Sequence, residues 1–140
     1  MIQKFLNLEI NTNGQKLYEF TKQCIKWVED NNFKNGILNI SIQHTSASLI
    51  IQENADPDVQ TDLINFLNKL VPMNSNLYLH NVEGKDDMPA HIKSMLTNNQ
   101  ITLSVKNSKI LLGTWQAIYL FEHRLNPQKR TVLHHFLGDS

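Results

Sequence analysis

Residues Trp115–Arg124 read WQAIYLFEHR, and their alternation decides the fold. On an extended strand, Trp115, Ala117, Tyr119, Phe121 and His123 share one face, while Gln116, Ile118, Leu120, Glu122 and Arg124 share the other. Both faces are largely apolar. A strand of that kind has to be covered on both sides, by another sheet, a helix or a neighbouring subunit, so it belongs at the centre of a layered structure.

The surrounding sequence supplies the layers. Just upstream, ITLSVKN and KILLGTW are two strand patterns separated by Asn107-Ser108, which predicts a hairpin with Gly113 at a bulge or sharp bend. Downstream, RTVLHHFLG reads as the closing strand. At the other end, Phe5, Leu6, Leu8 and Ile10 form an opening strand and Asn13-Gly14 a turn. Leu17, Phe20, Cys24, Trp27 and Val28 then recur at helical spacing, predicting a helix from Gln15 to Phe33. GILNISIQ alternates as a half-buried strand that ends at His44, and ASLIIQ is a second apolar run. Asp56-Pro57 caps a second helix that ends near Pro72. A short LYL strand candidate follows, and Pro89 starts one or two helical turns that carry His91. The whole is an α+β chain with two main helices, a single domain over residues 1–140.

Composition narrows the partners. Thirteen Lys and Arg balance thirteen Asp and Glu, so there is no net basic field to draw the chain to nucleic acid or anionic lipid. One cysteine, Cys24, allows neither a disulfide framework nor a cysteine-rich zinc site within the chain. No apolar run approaches a membrane span and no basic-then-apolar leader opens the sequence, so a soluble cytoplasmic protein is expected.

Six histidines occur, and His44, His91 and His123 stand beside carboxylates or hydroxyls at element ends. Imidazole is the commonest metal ligand and the side chain most easily poised for proton transfer near neutral pH, so these three are the candidates for a shared metal site. Glu53, Asp56, Asp58, Asp86, Asp87 and Glu122 could orient them or hold a cation. Each also has an ordinary reading. A histidine satisfies a turn, and Asp56 and Asp58 suit a helix start. No HExxH, CxxC, Walker loop or GxGxxG joins the candidates.

Three stretches carry more than their chemistry: QHTSASLIIQENADPDVQTDL (43–63), EGKDDMPAHIKSML (83–96) and GTWQAIYLFEHR (113–124). Together they resemble the YjbQ family, whose members have been described as secondary thiamine-phosphate synthases. The resemblance implies a β-sandwich assembled as a homotrimer, with sites near subunit boundaries. The family's motifs fall on His44, Glu53, Asp56, Asp86, Asp87, His91, Lys93, Glu122, His123 and Arg124, and on Thr45, Ser46, Ser94, Trp115 and Gln116. We carry these over as expectations: Glu53, Asp87, Lys93, Glu122 and Arg124 as catalytic groups, and Thr45, Ser46, Ser94, Trp115 and Gln116 as substrate contacts. His44, His91 and His123 are carried over as ligands of a divalent ion, magnesium or zinc. The implied reaction joins a hydroxymethylpyrimidine diphosphate to a thiazole phosphate and releases pyrophosphate. Such a reaction needs charge neutralised on the leaving group, by the ion and by Lys93 or Arg124, with Trp115 as an aromatic wall. Two other readings stand beside it: a metal-dependent hydrolase of a small phosphorylated metabolite, and a non-catalytic trimer that binds a metal or small molecule. Either way the partners expected are a small phosphorylated molecule and further copies of the chain.

Overall fold

The computed structural model describes residues 1–140, with the side chain of Ser75 left aside. The chain runs β1 (Ile2–Thr12), β2 (Lys16–Glu19), α1 (Thr21–Asp30), β3 (Asn35–Ile42), β4 (Ala47–Glu53), α2 (Pro57–Leu70), a 3-10 turn (Ser75–Leu77), α3 (Asp87–Leu96), β5 (Gln100–Lys106), β6 (Lys109–Ile110), β7 (Gln116–Glu122) and β8 (Gln128–Asp139). Five strands form one antiparallel sheet in the order β1-β8-β3-β5-β6, and three form a second, β2-β7-β4. The strand that decides the fold, β7, lies at the centre of the smaller sheet, as its two apolar faces require. Its inner residues Ile118 and Leu120 pack with Leu38, Ile40, Val132 and Phe136 of the larger sheet and with Phe20, Cys24 and Val28 near or on α1. Its outer residues Ala117, Tyr119 and Phe121 pack with Leu17 and with Ile64 and Leu67 of α2. The central strand is therefore buried between a sheet and a helix.

Local chemistry explains most element ends. Asp56 caps α2 by accepting from the Asp58 N–H at 2.9 Å, with Pro57 in the first helical position. Asn107 and Ser108 both take positive φ angles, 52° and 63°, in the tight turn between β5 and β6. Gly36 and Gly138 face each other across β3 and β8, where an added Cβ on Gly36 would lie 2.3 Å from the Leu137 carbonyl oxygen. No side chain fits there.

Three details differ from the sequence reading. The helix expected over Gln15–Phe33 is shorter, because Lys16–Glu19 pair with β7 as β2 and only Thr21–Asp30 are helical. Leu17 fits a helical period, but it points from a strand onto α2. There are three helices rather than two main ones: the turns around Pro89 extend to ten residues as α3. The LYL candidate is not a strand, and Leu79 is fully exposed.

Strand register gathers one end of the small sheet. Ala47 and Lys16 both pair with Glu122. The turn between β3 and β4, the start of β8 and the start of α3 converge on this end, as the hydrogen bonds below show. Glu53 pairs with Gln116 at the opposite end.

Candidate functional site

The carboxylate of Asp87 is the hub of the site. It occupies the first position of α3, is 2 % exposed, and has both oxygens engaged. Oδ1 accepts from Arg124 Nη1 at 2.6 Å. Oδ2 faces two imidazoles, with His80 Nε2 at 2.6 Å and His91 Nε2 at 3.2 Å. Asp87 and His91 meet because they are four residues apart on one helix, and such pairs share a face. His80 arrives from the loop before the helix.

Arg124 locks this arrangement to the end of β7. Its Nε donates to Asp86 Oδ2 at 2.9 Å, and its Nη2 to the Glu83 carbonyl at 3.0 Å. The same Asp86 oxygen accepts from the Leu125 N–H at 2.8 Å, so the Asp86 side chain ties two segments together instead of capping the helix. Burial alone would raise the pKa of both aspartates. Hydrogen bonds outweigh it, from Leu125 and Arg124 to Asp86 and from His80 to Asp87, and both stay below the usual carboxylate range.

His91 has a fixed orientation. Its Nδ1 lies 2.9 Å from the Thr45 carbonyl oxygen, which can only accept, so Nδ1 carries a hydrogen and Nε2 is the nitrogen presented to Asp87. His80 Nε2, His91 Nε2 and the Asp87 carboxylate lie within 4.8 Å of one another, the spacing of a ligand set around one cation.

His44 is placed differently. Its Nε2 accepts the backbone N–H of Thr131 at 2.8 Å, so the lone pair a metal would need is taken and Nδ1 bears the hydrogen. Burial first, and the Arg130 charge next, lower its pKa and keep it neutral. His44 and His91 nevertheless line one cavity of about 220 Å³, together with Thr45, Ser94, Met95 and Asn99.

His123 lies inside the protein, 1 % exposed, against Phe121. Its Nε2 is 2.9 Å from Ser48 Oγ, which itself receives the Thr97 hydroxyl at 2.6 Å. Burial, then the charges of Lys93 and Arg130, push its pKa down to about 3. Its position separates it from the His80, Asp87 and His91 group.

The remaining expected residues divide by location. Glu122 is completely buried and saturated: it accepts from Thr12 Oγ1 at 2.6 Å, from Arg130 through both oxygens, and from the backbone N–H groups of His123 and Arg124. Lys93 is 2 % exposed and donates to Asn68, and its burial lowers its pKa against the opposing pull of Asp86. Ser46 holds the Arg130 guanidinium, and Ser94 donates to the Ala47 carbonyl at 3.1 Å. Glu53, Trp115 and Gln116 sit at the far end of β7, about 20 Å away at roughly 3.3 Å per residue. Gln116 there closes a local turn by accepting from the Gly113 N–H at 2.7 Å. One residue joins the site that the sequence reading did not single out, His80, and another, Arg130, pairs with the buried Glu122 beside it. The Asp87–His91 pairing follows from a helix that starts two residues before the Pro89 expected from the sequence, and nothing periodic marked His80.

Comparison with known proteins places the chain. Residues 6–139 match the family model described as UPF0047 protein YjbQ-like. A UPF0047 protein of Synechocystis is 46 % identical over 132 residues, covering 94 % of this chain and 90 % of that protein. The UPF0047 protein YjbQ of Escherichia coli O157:H7 is 40 % identical, covering 98 % of both. Among solved structures, an uncharacterized conserved protein of the YjbQ/UPF0047 family from Clostridium acetobutylicum superposes with a TM-score of 0.80 at 31 % identity, over 98 % of this chain and 100 % of that one. A YbjQ-like protein of unknown function from Sulfolobus solfataricus gives a TM-score of 0.86 at 23 % identity, over 99 % and 100 %, which shows the shared fold.

These findings overturn the expected thiamine phosphate synthase activity. The family and the relatives named above are described by family alone or as being of unknown function, and none of them as a synthase. The site agrees with that correction. The cations meant to neutralise pyrophosphate are committed elsewhere, Lys93 to Asn68 in the interior and Arg124 to two aspartates. The aromatic wall, Trp115, is at the other end of the sheet. Among the described residues no helix is long and apolar enough to cross a membrane.

Proposed function

This chain belongs to the YjbQ-like UPF0047 family, and from that premise we propose that it is a divalent-metal protein whose ion is held by His80, Asp87 and His91. One observation carries the reading. With its Nδ1 hydrogen donated to Thr45, His91 turns Nε2 toward an ionised carboxylate oxygen 3.2 Å away. Two lone pairs facing each other repel, so a proton or a cation belongs between them, and a second imidazole converges on the same oxygen.

The donor set favours a particular class of ion. Two imidazoles and one carboxylate suit zinc or another first-row transition metal with positions left open, whereas magnesium prefers oxygen ligands in near-octahedral geometry. A bound ion of that class supplies Lewis acidity toward an oxygen-donor molecule. The chain does the rest. The Thr45 carbonyl fixes the His91 tautomer, and Arg124 holds Asp87 Oδ1 so that Oδ2 is the oxygen presented, the outer-shell support that metal-binding histidines and carboxylates generally carry. His80 and His91 are half-exposed, at 42 % and 33 % of their side-chain surface, which leaves an approach for a ligand.

Elemental analysis of protein purified without added metal and dialysed against zinc, manganese or cobalt tests the reading. About one tightly held ion per chain is expected, with loss in His80→Ala and His91→Ala and retention in His123→Gln. Equal metal content in all four proteins, or none in any, would refute it.

A further inference from the structure

The cavity beside the metal group has a wall that selects its occupant. It holds about 220 Å³, below the roughly 300–1,000 Å³ typical of drug-sized ligands, so its guest has few heavy atoms. His91 belongs both to this wall and to the metal group, so the two share one imidazole.

Hydrogen-bond accounting shows what the wall offers. His44 Nε2 is occupied by the Thr131 N–H, so Nδ1–H is a fixed donor, and among the described residues it has no partner. Ser94 has spent its hydrogen on the Ala47 carbonyl. The side chains of Thr45 and Asn99 are without protein partners among the described residues, and both can donate. No Asp or Glu lines the cavity. Donors therefore predominate, next to a place where a cation is expected.

We propose that this cavity binds a small oxyanion, a carboxylate or phosphate group, with one oxygen on the metal and another accepting from His44 Nδ1–H and the Thr45 hydroxyl. The inference rests on the metal reading above, because neutral donors alone do not offset the charge of Asp87. In this account His44 is a ligand-orienting donor and not a metal ligand. The volume admits a small molecule that carries one such group.

Cobalt-loaded full-length protein titrated with acetate, oxalate and inorganic phosphate tests it, followed by the cobalt absorption spectrum and by calorimetry. At least one anion is expected to perturb the cobalt spectrum saturably, with phosphate against the two carboxylates separating the two sources of the group. In His44→Phe and in Thr45→Val, anion affinity should fall about ten- to hundredfold, the range of one hydrogen bond to a charged group. Cobalt affinity should stay within about twofold. The threonine variant keeps the backbone carbonyl that holds His91, and it preserves the test if the histidine variant is poorly folded. Cobalt binding without any anion effect, or anion binding indifferent to both substitutions, overturns the inference and leaves the metal centre standing. Failure to bind cobalt overturns both.

Discussion

Two polar clusters meet at Arg124, at one end of the small sheet, and they are built on opposite plans. Around Glu122, everything is buried and paired: Arg130 meets both carboxylate oxygens, Thr12 donates to one, and two backbone N–H groups donate to the other. Around Asp87, one oxygen is firmly held by Arg124, while the other takes the His80 hydrogen bond and also faces the Nε2 lone pair of His91, and both imidazoles are half-exposed. The contrast teaches how to separate scaffold from site among residues of the same chemical type. A saturated carboxylate has no capacity left for a ligand, whereas one with an oxygen presented to the unshared lone pair of an imidazole does.

The largest effect that could break this comparison is on stability. Replacing Glu122 by Gln leaves the buried Arg130 charge uncompensated, and should cost on the order of 3–5 kcal/mol in urea denaturation. Asp87→Asn, in the more exposed cluster, should cost less than Glu122→Gln. A reversed order would mean that the two clusters have been assigned the wrong roles.

Next in size is the support that Arg124 gives to the metal group. Arg124→Gln should weaken zinc or cobalt affinity about 10- to 100-fold in calorimetric titration, the usual penalty for removing an outer-shell partner. Unchanged affinity would show that Asp87 does not depend on it.

Acid sharpens the comparison from the interior side. Burial pushes His123 down to about 3 and His134 to about 4, both below the ordinary 6.5. Unfolding therefore takes up protons between those values and about 6.5, and stability falls as pH drops through that window and is fully present above it. Each histidine should change the folding equilibrium roughly tenfold per pH unit there. Chemical denaturation midpoints measured from pH 7.5 to 4.5 should show the slope, and His134→Phe should flatten it.

The smallest effect concerns the far end of β7. Trp115 is 62 % exposed, and Trp115→Ala should change metal affinity not at all and stability by no more than about 0.5 kcal/mol. A marked loss of metal would require the two ends of the sheet to meet in some way that a single chain does not show.

The layered fold was legible in the sequence because β7 has two apolar faces and only a central position satisfies both. The boundaries were less so. Leu17 and Phe20 fit a helical period, yet pairing of Lys16–Glu19 with β7 overrides that local pattern. Asp87 and His91 were both legible as candidates, but with the helix expected to start at Pro89 their shared face was not; it follows once the helix begins at Asp87. His80 was not legible at all, since only the fold brings that loop to Asp87. His123 shows the converse. Strand parity already put it on the face of Phe121, and there it is buried beside Ser48.

The central claim is that a cation belongs between His80, Asp87 and His91, and an anomalous difference map from a crystal soaked in zinc tests it most directly. The account predicts one strong peak per chain, about 2.0–2.1 Å from Nε2 of both His80 and His91 and within bonding reach of Asp87 Oδ2. A peak seated instead on His44 or His123, or a His80–Asp87–His91 group unchanged and empty at saturating zinc, would contradict it.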